Sequence, residues 1–184
     1  LQESRQGSPP AKQSHESCEL IRLQAVHDLA RHAPRLLEAI DPHCGCGIAA
    51  TIRRGGCVFA LVRAGEVLSQ LKIDLAAGEV DTPAELRIDV GPESAFLSFL
   101  YTPEAARGLG WAKTLVAAVC ATLAAEGLRH CVCQVQATNV RSANTFESLA
   151  WKPAAWLLCS AGGRLLGIVR NPLARFSGLE VQAQ

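Results

Sequence analysis

The segment ARGLGWAKTL, residues 106–115, places two glycines and an arginine between an apolar strand and an apolar helix. The apolar pattern predicts the strand over 95–101, closed by Pro103, and the helix over 111–126, with Gly127 at its C-terminal stop. A glycine inside a helix costs about 1 kcal/mol relative to alanine. Its use at this helix start therefore favours either a close packing contact or a ligand bound to the backbone.

A helix start of this kind can bind an anion. The first turn leaves amide N–H groups without intrahelical partners, and the helix dipole adds partial positive charge. Glycines let a phosphate approach those amides, and Arg107 adds a full charge at the same point. The GxxxxGK[ST] and GxGxxG patterns of nucleotide-binding loops are absent. What is present is Arg107-x-x-Gly110-x-Ala112.

This pattern resembles the Q/R-x-x-G-x-G/A signature of the GNAT superfamily of acyl-CoA-dependent N-acetyltransferases. A later segment, residues 137–154, resembles that superfamily's N-x-x-A/S-x-x-x-Y/F-E-x-L-G-F/W pattern. The matching residues are Asn139, Ser142, Phe146, Glu147, Leu149 and Trp151. Ala150 stands where glycine is usual. The resemblance extends over about residues 18–170.

The resemblance implies an α/β (α+β) fold with a mixed, mostly antiparallel central sheet. Helices flank this sheet, and its fourth and fifth strands splay apart in a V. We expect three parts in the chain: a polar disordered tail or linker over 1–17, a GNAT-like domain over 18–171, and a C-terminal tail over 172–184.

The remaining apolar patterns predict the other elements. Strands are expected over 18–23, 57–62, 67–75, 86–90, 130–137, 154–160 and 164–170, and helices over 25–40 and 142–150. The helix over 25–40 is interrupted at Pro34, residues 41–47 form a turn, and residues 76–85 form a loop. Strand 86–90 forms either a hairpin with 95–101 or a continuation into it.

The resemblance also implies where acetyl-CoA, or another acyl-CoA, binds as co-substrate. The backbone of Leu100, Tyr101 and Thr102 would contact pantetheine and the acyl carbonyl. Asn139 would lie beside pantetheine, and Phe146 beside the thioester sulfur. The loop around the diphosphate would consist of Arg107, Gly108, Leu109, Gly110, Trp111, Ala112 and Lys113.

The sequence does not assign the catalytic groups. Many relatives carry tyrosine at the position of Phe146, and phenylalanine has no proton to give to a leaving thiolate. Asp89, Glu93 and Glu104 flank the fourth strand, whose centre carries no carboxylate. We expect water, relayed by a backbone carbonyl, to deprotonate the amine ahead of any of these acids.

The eight cysteines lie partly within strongly apolar segments. This setting favours reduced, packed thiols and a cytoplasmic location. The spacing of HCGC, residues 43–46, with Cys18 and Cys57 is not that of a zinc ribbon, so no metal is expected. Cys131 and Cys133 share one strand face, where two packed thiols are favoured over a redox pair.

A net charge of +1 gives no reason to expect nucleic acid or a membrane surface as partner. The function expected from the resemblance is transfer of acetyl to an amine, on a small molecule or a peptide, by direct attack. The first helix and residues 76–94 would shape the acceptor pocket. A homodimer and longer acyl chains delivered by a carrier protein are left open. The alternatives are a non-catalytic acyl-CoA sensor or scaffold of the same fold, and a partner-binding domain without coenzyme.

Overall fold

The computed structural model describes residues 17–80, 85–174 and 178–183 of the chain; the predicted tail over 1–17 lies outside it except for Ser17. The strands are β1 Glu19–Leu23, β2 Cys57–Arg63, β3 Glu66–Leu75, β4 Ala77–Val80, β5 Leu86–Asp89, β6 Ser94–Tyr101, β7 His130–Cys133, β8 Ala155–Cys159, β9 Leu165–Arg170 and β10 Glu180–Ala183. The helices are α1 Val26–Leu29, α2 Pro34–Ile40, α3 Ile48–Arg53, α4 Trp111–Ala125 and α5 Val140–Ser148.

The main sheet has five strands in the order β1-β2-β3-β6-β7. Its first three neighbouring pairs are antiparallel, and β6 with β7 is parallel because α4 crosses over between them. The expected mixed, mostly antiparallel sheet with flanking helices is confirmed. The hairpin of β2 and β3 and the break of the first helix at Pro34 also follow the prediction.

Each face of the main sheet is covered by helices. α4 buries Leu115, Val116, Val119 and Leu123 against one face, where alternate residues of β2, β3 and β6 point. The opposite face carries Ile40 and Ile48 of α2 and α3. β2 is therefore a continuous apolar run, because both of its faces are buried.

A second sheet of three strands, in the order β10-β5-β4, corrects two predictions. Part of the predicted 76–85 loop is a strand, because residues 77–80 pair with β5; residues 81–84 lie outside the described chain. β5 pairs with β4 and β10, so it forms neither a hairpin with β6 nor a continuation into it. β10 lies within residues 172–184, the predicted C-terminal tail, and completes this sheet.

Three further elements differ from the prediction. α3 was not predicted at all. It begins after Gly47, which has a φ of 85°, and the backbone N–H of Ile48 donates to Asp41 Oδ1 at 2.8 Å. β7 ends at Cys133, four residues earlier than predicted, and α5 begins and ends two residues earlier. The β8–β9 hairpin is confirmed, and it forms a sheet of its own.

Within the ranges that the structure describes, no helix has the length and apolar character needed to cross a membrane.

Candidate functional site

β6 and β7 separate partway along β6. They pair in parallel from Ser94 with His130 to Leu97 with Cys133, and β7 ends there, whereas β6 continues to Tyr101. A cavity of about 290 Å³ opens between the diverging chains. Its walls are residues 97–100 of β6, residues 133–136, and part of α5. The predicted splay between the fourth and fifth strands of the sheet is thereby confirmed.

A bulge in β6 lies beside this gap. The register of β6 against β3 shifts between Gln70, which pairs with Tyr101, and Lys72, which pairs with Ser98. Phe99, inside the bulge, has a φ of 51°. This left-handed conformation costs about 1–2 kcal/mol for a residue with a side chain. Because bulges bend the strand that carries them, this one turns β6 away from the line of β7.

The loop after α2 packs directly on the bulge. A Cβ added at Gly45 would lie only 2.5 Å from Phe99 Cζ, so the ring occupies the space that glycine leaves free. The ammonium of Lys72 lies 5.7 Å from the centre of the same ring and 3.0 Å from Asp74 Oδ2. Burial raises the pKa of Asp74, and the charge of Lys72 opposes that shift. The bulge is thus held between a tight loop and a buried ion pair.

Tyr101 points to the sheet face opposite α4. Its ring is stacked on His43, with ring centres 3.5 Å apart and planes 13° from parallel. The neighbouring Gln70 is fully buried; its Nε2 donates to Ile40 O at 2.8 Å, and its Oε1 has no hydrogen-bond partner among the described residues. The end of β6 therefore carries a stacked aromatic pair on this face of the sheet, with the buried amide of Gln70 on the neighbouring strand.

The backbone at the end of β6 is partly engaged within the protein. Leu100, whose backbone the resemblance places beside pantetheine, lines the gap. The carbonyl of Tyr101 accepts from Ser69 Oγ at 3.0 Å, and the carbonyl of Thr102 accepts from Arg107 Nε at 3.1 Å. Each of these oxygens keeps a second lone pair for a ligand.

The loop into α4 has the features of an anion-binding helix start. Gly110 is the N-cap residue, with a φ of 83° and no side-chain cap, so the first-turn amides face outward without a capping group. Gly108 also has a positive φ, of 78°. No heavy atom of the described residues lies within 4 Å of a Cβ built on either glycine, which leaves room for a ligand at the backbone.

Charged and aromatic side chains surround this helix start. The bond from Arg107 to the Thr102 carbonyl holds an exposed guanidinium over the loop. Lys113 is exposed in the first turn of α4, and Leu109 is exposed just before that turn. Ala112 lies between these two residues. The Trp111 ring packs against the α4 core with Arg63 above it, at 5.6 Å from guanidinium carbon to ring centre. The structure thus brings together the residues predicted to surround the diphosphate.

α5 forms the other wall of the gap. Asn139 caps this helix, because its Oδ1 accepts from the N–H of Ser142 at 3.1 Å. Phe146 is 6% exposed and lies tilted against Trp151, with ring centres 4.8 Å apart. Asn139 and Phe146 both line the cavity. Asn139 therefore has a structural role as a cap in addition to any ligand contact.

The acids that the sequence offers as bases do not line the cavity. Asp89 sits on β5 beside Arg87, at 3.4 Å, and Glu93 contacts Arg129 at 3.3 Å. Glu104 lies in a short 3-10 turn over Glu104–Ala106. Among the described residues, no carboxylate lines the cavity.

Sequence reasoning missed several residues at the gap, among them Ser98 and Cys133. Ser98 lines the cavity, and its Oγ is buried with no hydrogen-bond partner among the described residues. Cys133 lines the opposite wall, and burial raises the pKa of its thiol to about 12. Ser98 lies one residue before the bulge. The sequence signal for it would have been a polar residue within the apolar run of β6.

The residues weighed as metal ligands do not assemble into a site. Cys44 is buried and donates to Ile40 O at 3.3 Å, and burial raises its pKa to about 12. Cys57 is buried as well, and its pKa is raised by burial. In the part of the chain described, no three His, Cys, Asp or Glu side chains lie grouped as metal ligands would.

The mixed sheet with its splayed strand pair is the fold expected from the sequence, and comparison with known families agrees. Residues 23–151 match the family described as acetyltransferase (GNAT) family. The match covers well over half of the chain, and the chain belongs to this family.

Solved structures show the same fold at low sequence identity. An aminoglycoside N-acetyltransferase, AAC(6')-Iy in complex with CoA, is 15% identical with a TM-score of 0.56, over 77% of this chain and 97% of that one. A transcriptional regulator from Bacillus halodurans C-125 is 13% identical with a TM-score of 0.51, over 77% and 99%. An aminoglycoside acetyltransferase from an uncultured soil metagenomic sample is 17% identical with a TM-score of 0.50, over 78% and 92%. A sequence comparison with curated proteins finds no match.

Proposed function

We propose that this chain is an acyl-CoA-dependent N-acyltransferase that transfers acetyl from acetyl-CoA to an amine acceptor. One observation carries the proposal: a strand pair that separates after Leu97 and Cys133 opens beside a helix start that no side chain caps. These two features together fit an extended thioester arm that ends in a diphosphate. Membership of the acetyltransferase (GNAT) family supports the same conclusion.

The coenzyme would bind chiefly through backbone groups. The diphosphate would accept hydrogen bonds from the amides at Gly108 through Lys113, with Arg107 supplying charge. The pantetheine arm would lie along Leu100 in the gap, pairing with the exposed strand edge as an added strand does. Phe146 and Asn139 would contact it from the α5 wall.

The reaction is attack by an amine nitrogen on the thioester carbonyl. A C–N bond forms, the C–S bond breaks, and the coenzyme leaves as a thiolate. The amine must lose a proton, and the thiolate must gain one. Phe146 cannot supply that proton, and no carboxylate among the described residues lines the gap. We assign both proton transfers to water, and Ser98 Oγ, which has no hydrogen-bond partner among the described residues, provides a hydrogen-bonding group for it at the gap wall.

The acceptor would approach from the face opposite α4. That face carries the stacked rings of His43 and Tyr101 and the bulged Phe99. Asp74 lies nearby beside Lys72, with 17% of its side chain exposed. An aromatic, partly charged surface suits a cationic amine. Two of the similar structures are aminoglycoside acetyltransferases, so aminoglycosides belong among the amines to be tested.

The alternative is a sensor or scaffold that binds acyl-CoA without turnover. The phenyl ring at Phe146 and the lack of a carboxylate at the described gap walls favour this second candidate. Both candidates need the coenzyme site, and they differ only in acyl transfer.

Two measurements test the proposal. Calorimetric titration with acetyl-CoA checks binding. Release of free coenzyme thiol in the presence of aminoglycosides, polyamines and lysine-containing peptides checks transfer. Binding with thiol release on at least one amine supports the enzyme. Binding without release on any of them supports the sensor, and no binding contradicts both.

The binding site is tested by Gly110→Glu, with Gly91→Glu as matched control. Both glycines have a positive φ, of 83° and 80°, and a Cβ at either meets no heavy atom within 4 Å. Gly91 precedes β6, at the opposite end of that strand from the helix start. A carboxylate beside a diphosphate costs several kcal/mol, so Gly110→Glu should weaken acetyl-CoA binding by about 100-fold or more. Gly91→Glu should leave binding unchanged.

A further inference from the structure

The hairpin of β8 and β9 carries apolar residues on both of its faces. One face packs against the apolar cluster that contains Ile88 of β5 and Phe96 of β6, through Ala155, Leu157, Cys159 and Leu165. The other face is exposed, although β8, AWLLC, and β9, LLGIVR, are apolar up to the final arginine. An antiparallel hairpin with one solvated face normally alternates apolar with polar residues. The pattern therefore indicates that a further surface covers the second face.

The exposed side of the hairpin is one continuous apolar surface. Trp156 lies directly opposite Val169, and Leu158 lies directly opposite Gly167, so these residues share one face. Trp156, Leu158 and Val169 are 49%, 52% and 51% exposed. Leu166, which the register shift leaves without a cross-strand partner, is 66% exposed beside Gly167. We call the four large side chains, Trp156, Leu158, Leu166 and Val169, the hairpin face.

The hairpin face is large enough to form an interface with a second copy of itself. A half-exposed large side chain leaves about 100 Å² of apolar surface open, so the four together leave about 400 Å². Two copies in contact would bury twice that area. Because apolar atoms make up about 65% of a homodimer interface, the whole contact would reach about 1,200 Å². A contact of that size falls within the range of specific, stable interfaces.

The parts of this sequence outside the described ranges offer little apolar surface to cover the hairpin face. They are residues 1–16, 81–84, 175–177 and 184, and their large apolar side chains are Leu1 and Phe176 alone. A second copy, in contrast, brings an apolar face of equal area. A cover made by another molecule of the same chain therefore fits the hairpin face better than a cover made by the undescribed residues.

The shape of the hairpin face also suits pairing about a two-fold axis. A Cβ built on Gly167 meets no heavy atom of the described residues within 4 Å, so the surface has a notch there, directly across from the protruding Leu158. In a two-fold contact each surface patch meets its own copy. The Leu158 side chain of each copy can then fill the notch at Gly167 of the other.

We propose that the hairpin face is the contact surface of a homodimer of this chain. The described residues that line the gap between β6 and β7 all lie outside 155–170, so the dimer does not depend on the proposed function.

Sedimentation velocity of the full chain, from about 1 µM to about 500 µM, tests the proposal. We expect a dimer at the upper end of this range. Hydrogen exchange locates the contact, because residues 155–170 should exchange more slowly in concentrated than in dilute protein. The dimer should persist in about 1 M sodium chloride, because the hairpin face carries no charge for salt to screen.

Leu158→Lys and Leu75→Lys form a matched pair of variants. Both leucines lie on strands and both are 52% exposed, but Leu75 lies on β3, outside the hairpin face. Leu158→Lys places a charge inside the apolar contact and should weaken the dimer at least about tenfold, whereas Leu75→Lys should leave it unchanged. Trp156→Ser, which removes apolar area without adding charge, should also weaken it.

Several outcomes would overturn the proposal. One is a chain that stays monomeric up to about 500 µM, including one that instead binds phospholipid vesicles through Trp156. Another is a dimer that Leu158→Lys and Leu75→Lys weaken equally or that survives both. Hydrogen exchange that slows with concentration only outside residues 155–170 would place the contact elsewhere, and this measurement on the wild-type chain stands by itself if a variant does not fold.

Discussion

Leu97 and Cys133 are the last residues through which β6 and β7 pair. Two residues further along β6, the bulge at Phe99 bends the strand. On the other side of the gap, β7 ends at Cys133. The width of the gap therefore depends on a bulge held from the opposite face of the sheet. Substitutions around the gap, and in the elements that flank it, should have measurable effects on activity and stability.

Replacing Phe146 by tyrosine adds a hydroxyl at the gap wall, where the leaving thiolate is proposed to form. A positioned proton donor typically contributes about 10²–10⁴-fold. We expect Phe146→Tyr to raise the rate of coenzyme thiol release at least several-fold, because the added hydroxyl can act as the general acid. Steady-state rates with the best acceptor of the panel measure it. Phe146→Leu is the control without a hydroxyl, and an equal rise in both variants would contradict a role for the proton.

Replacing Gly45 by alanine should destabilise the protein through the Phe99 ring. The added Cβ would lie 2.5 Å from Phe99 Cζ, and overpacking of this kind costs about 1–3 kcal/mol. The free energy of unfolding in urea measures the loss.

Gly55→Ala is the matched control for this change. Gly55 has a similar φ, of 81° against 70° at Gly45, and no heavy atom within 4 Å of an added Cβ. The Gly55→Ala variant should therefore lose stability only through backbone strain. In a Phe99→Ala background the excess cost at position 45 should vanish. An excess that persists there would show that the ring is not its cause.

Replacing Ala150 by glycine should stabilise the protein. Ala150 lies two residues after the end of α5 and has a φ of 61°, while the N–H of Trp151 donates back to Phe146 O at 3.1 Å. Alanine in this conformation costs about 1 kcal/mol or more, so the variant should unfold at higher urea. Ala143→Gly, inside the same helix, should instead lose about 1 kcal/mol. Equal effects at the two positions would contradict this account.

Asp28 should make stability depend on pH in the acid range. Hydrogen bonds from the backbone N–H groups of Gln24, at 3.0 Å, and Ala25, at 2.9 Å, hold the pKa of Asp28 below its ordinary value. A lowered pKa in the folded state contributes stability above the unfolded value of about 3.9, and that stability is lost as pH falls through the folded pKa.

The variant Asp28→Asn isolates this effect. Its deficit in unfolding free energy relative to wild type should be largest near neutral pH and should shrink as the pH falls below about 4. Urea unfolding at about pH 7 and about pH 3 measures both chains. A deficit that is the same at both values would show that the carboxylate charge has no part in it.

Local pattern was enough to predict α4 and the β2–β3 hairpin, whereas the splay of β6 and β7 followed from the family resemblance. α4 has good helix formers followed by Gly127, and β2 and β3 are long apolar runs around a short turn. The positions around the helix start, from Arg107 to Lys113, came from a motif whose spacing depends on local geometry. Such features need no knowledge of distant parts of the chain.

The missed features depend on distant contacts. β4 has the sequence AGEV, a poor strand sequence; it forms because β5 pairs with it and because Gly78 leaves room for Phe96, whose ring would meet an added Cβ at 1.9 Å. α3 starts where the backbone N–H of Ile48 donates to the carboxylate of Asp41, seven residues earlier. The bulge puts phenylalanine at a positive φ, which no propensity predicts.

The early end of β7 has a further consequence for the chain without ligand. The end of β6 beyond Leu97 is an edge inside the sheet, with backbone groups that lack a paired strand on that side. Exposed edges invite pairing with other chains, the first step toward aggregation. An occupant of the gap would cover this edge, so saturation with the thioester should also keep concentrated protein in solution.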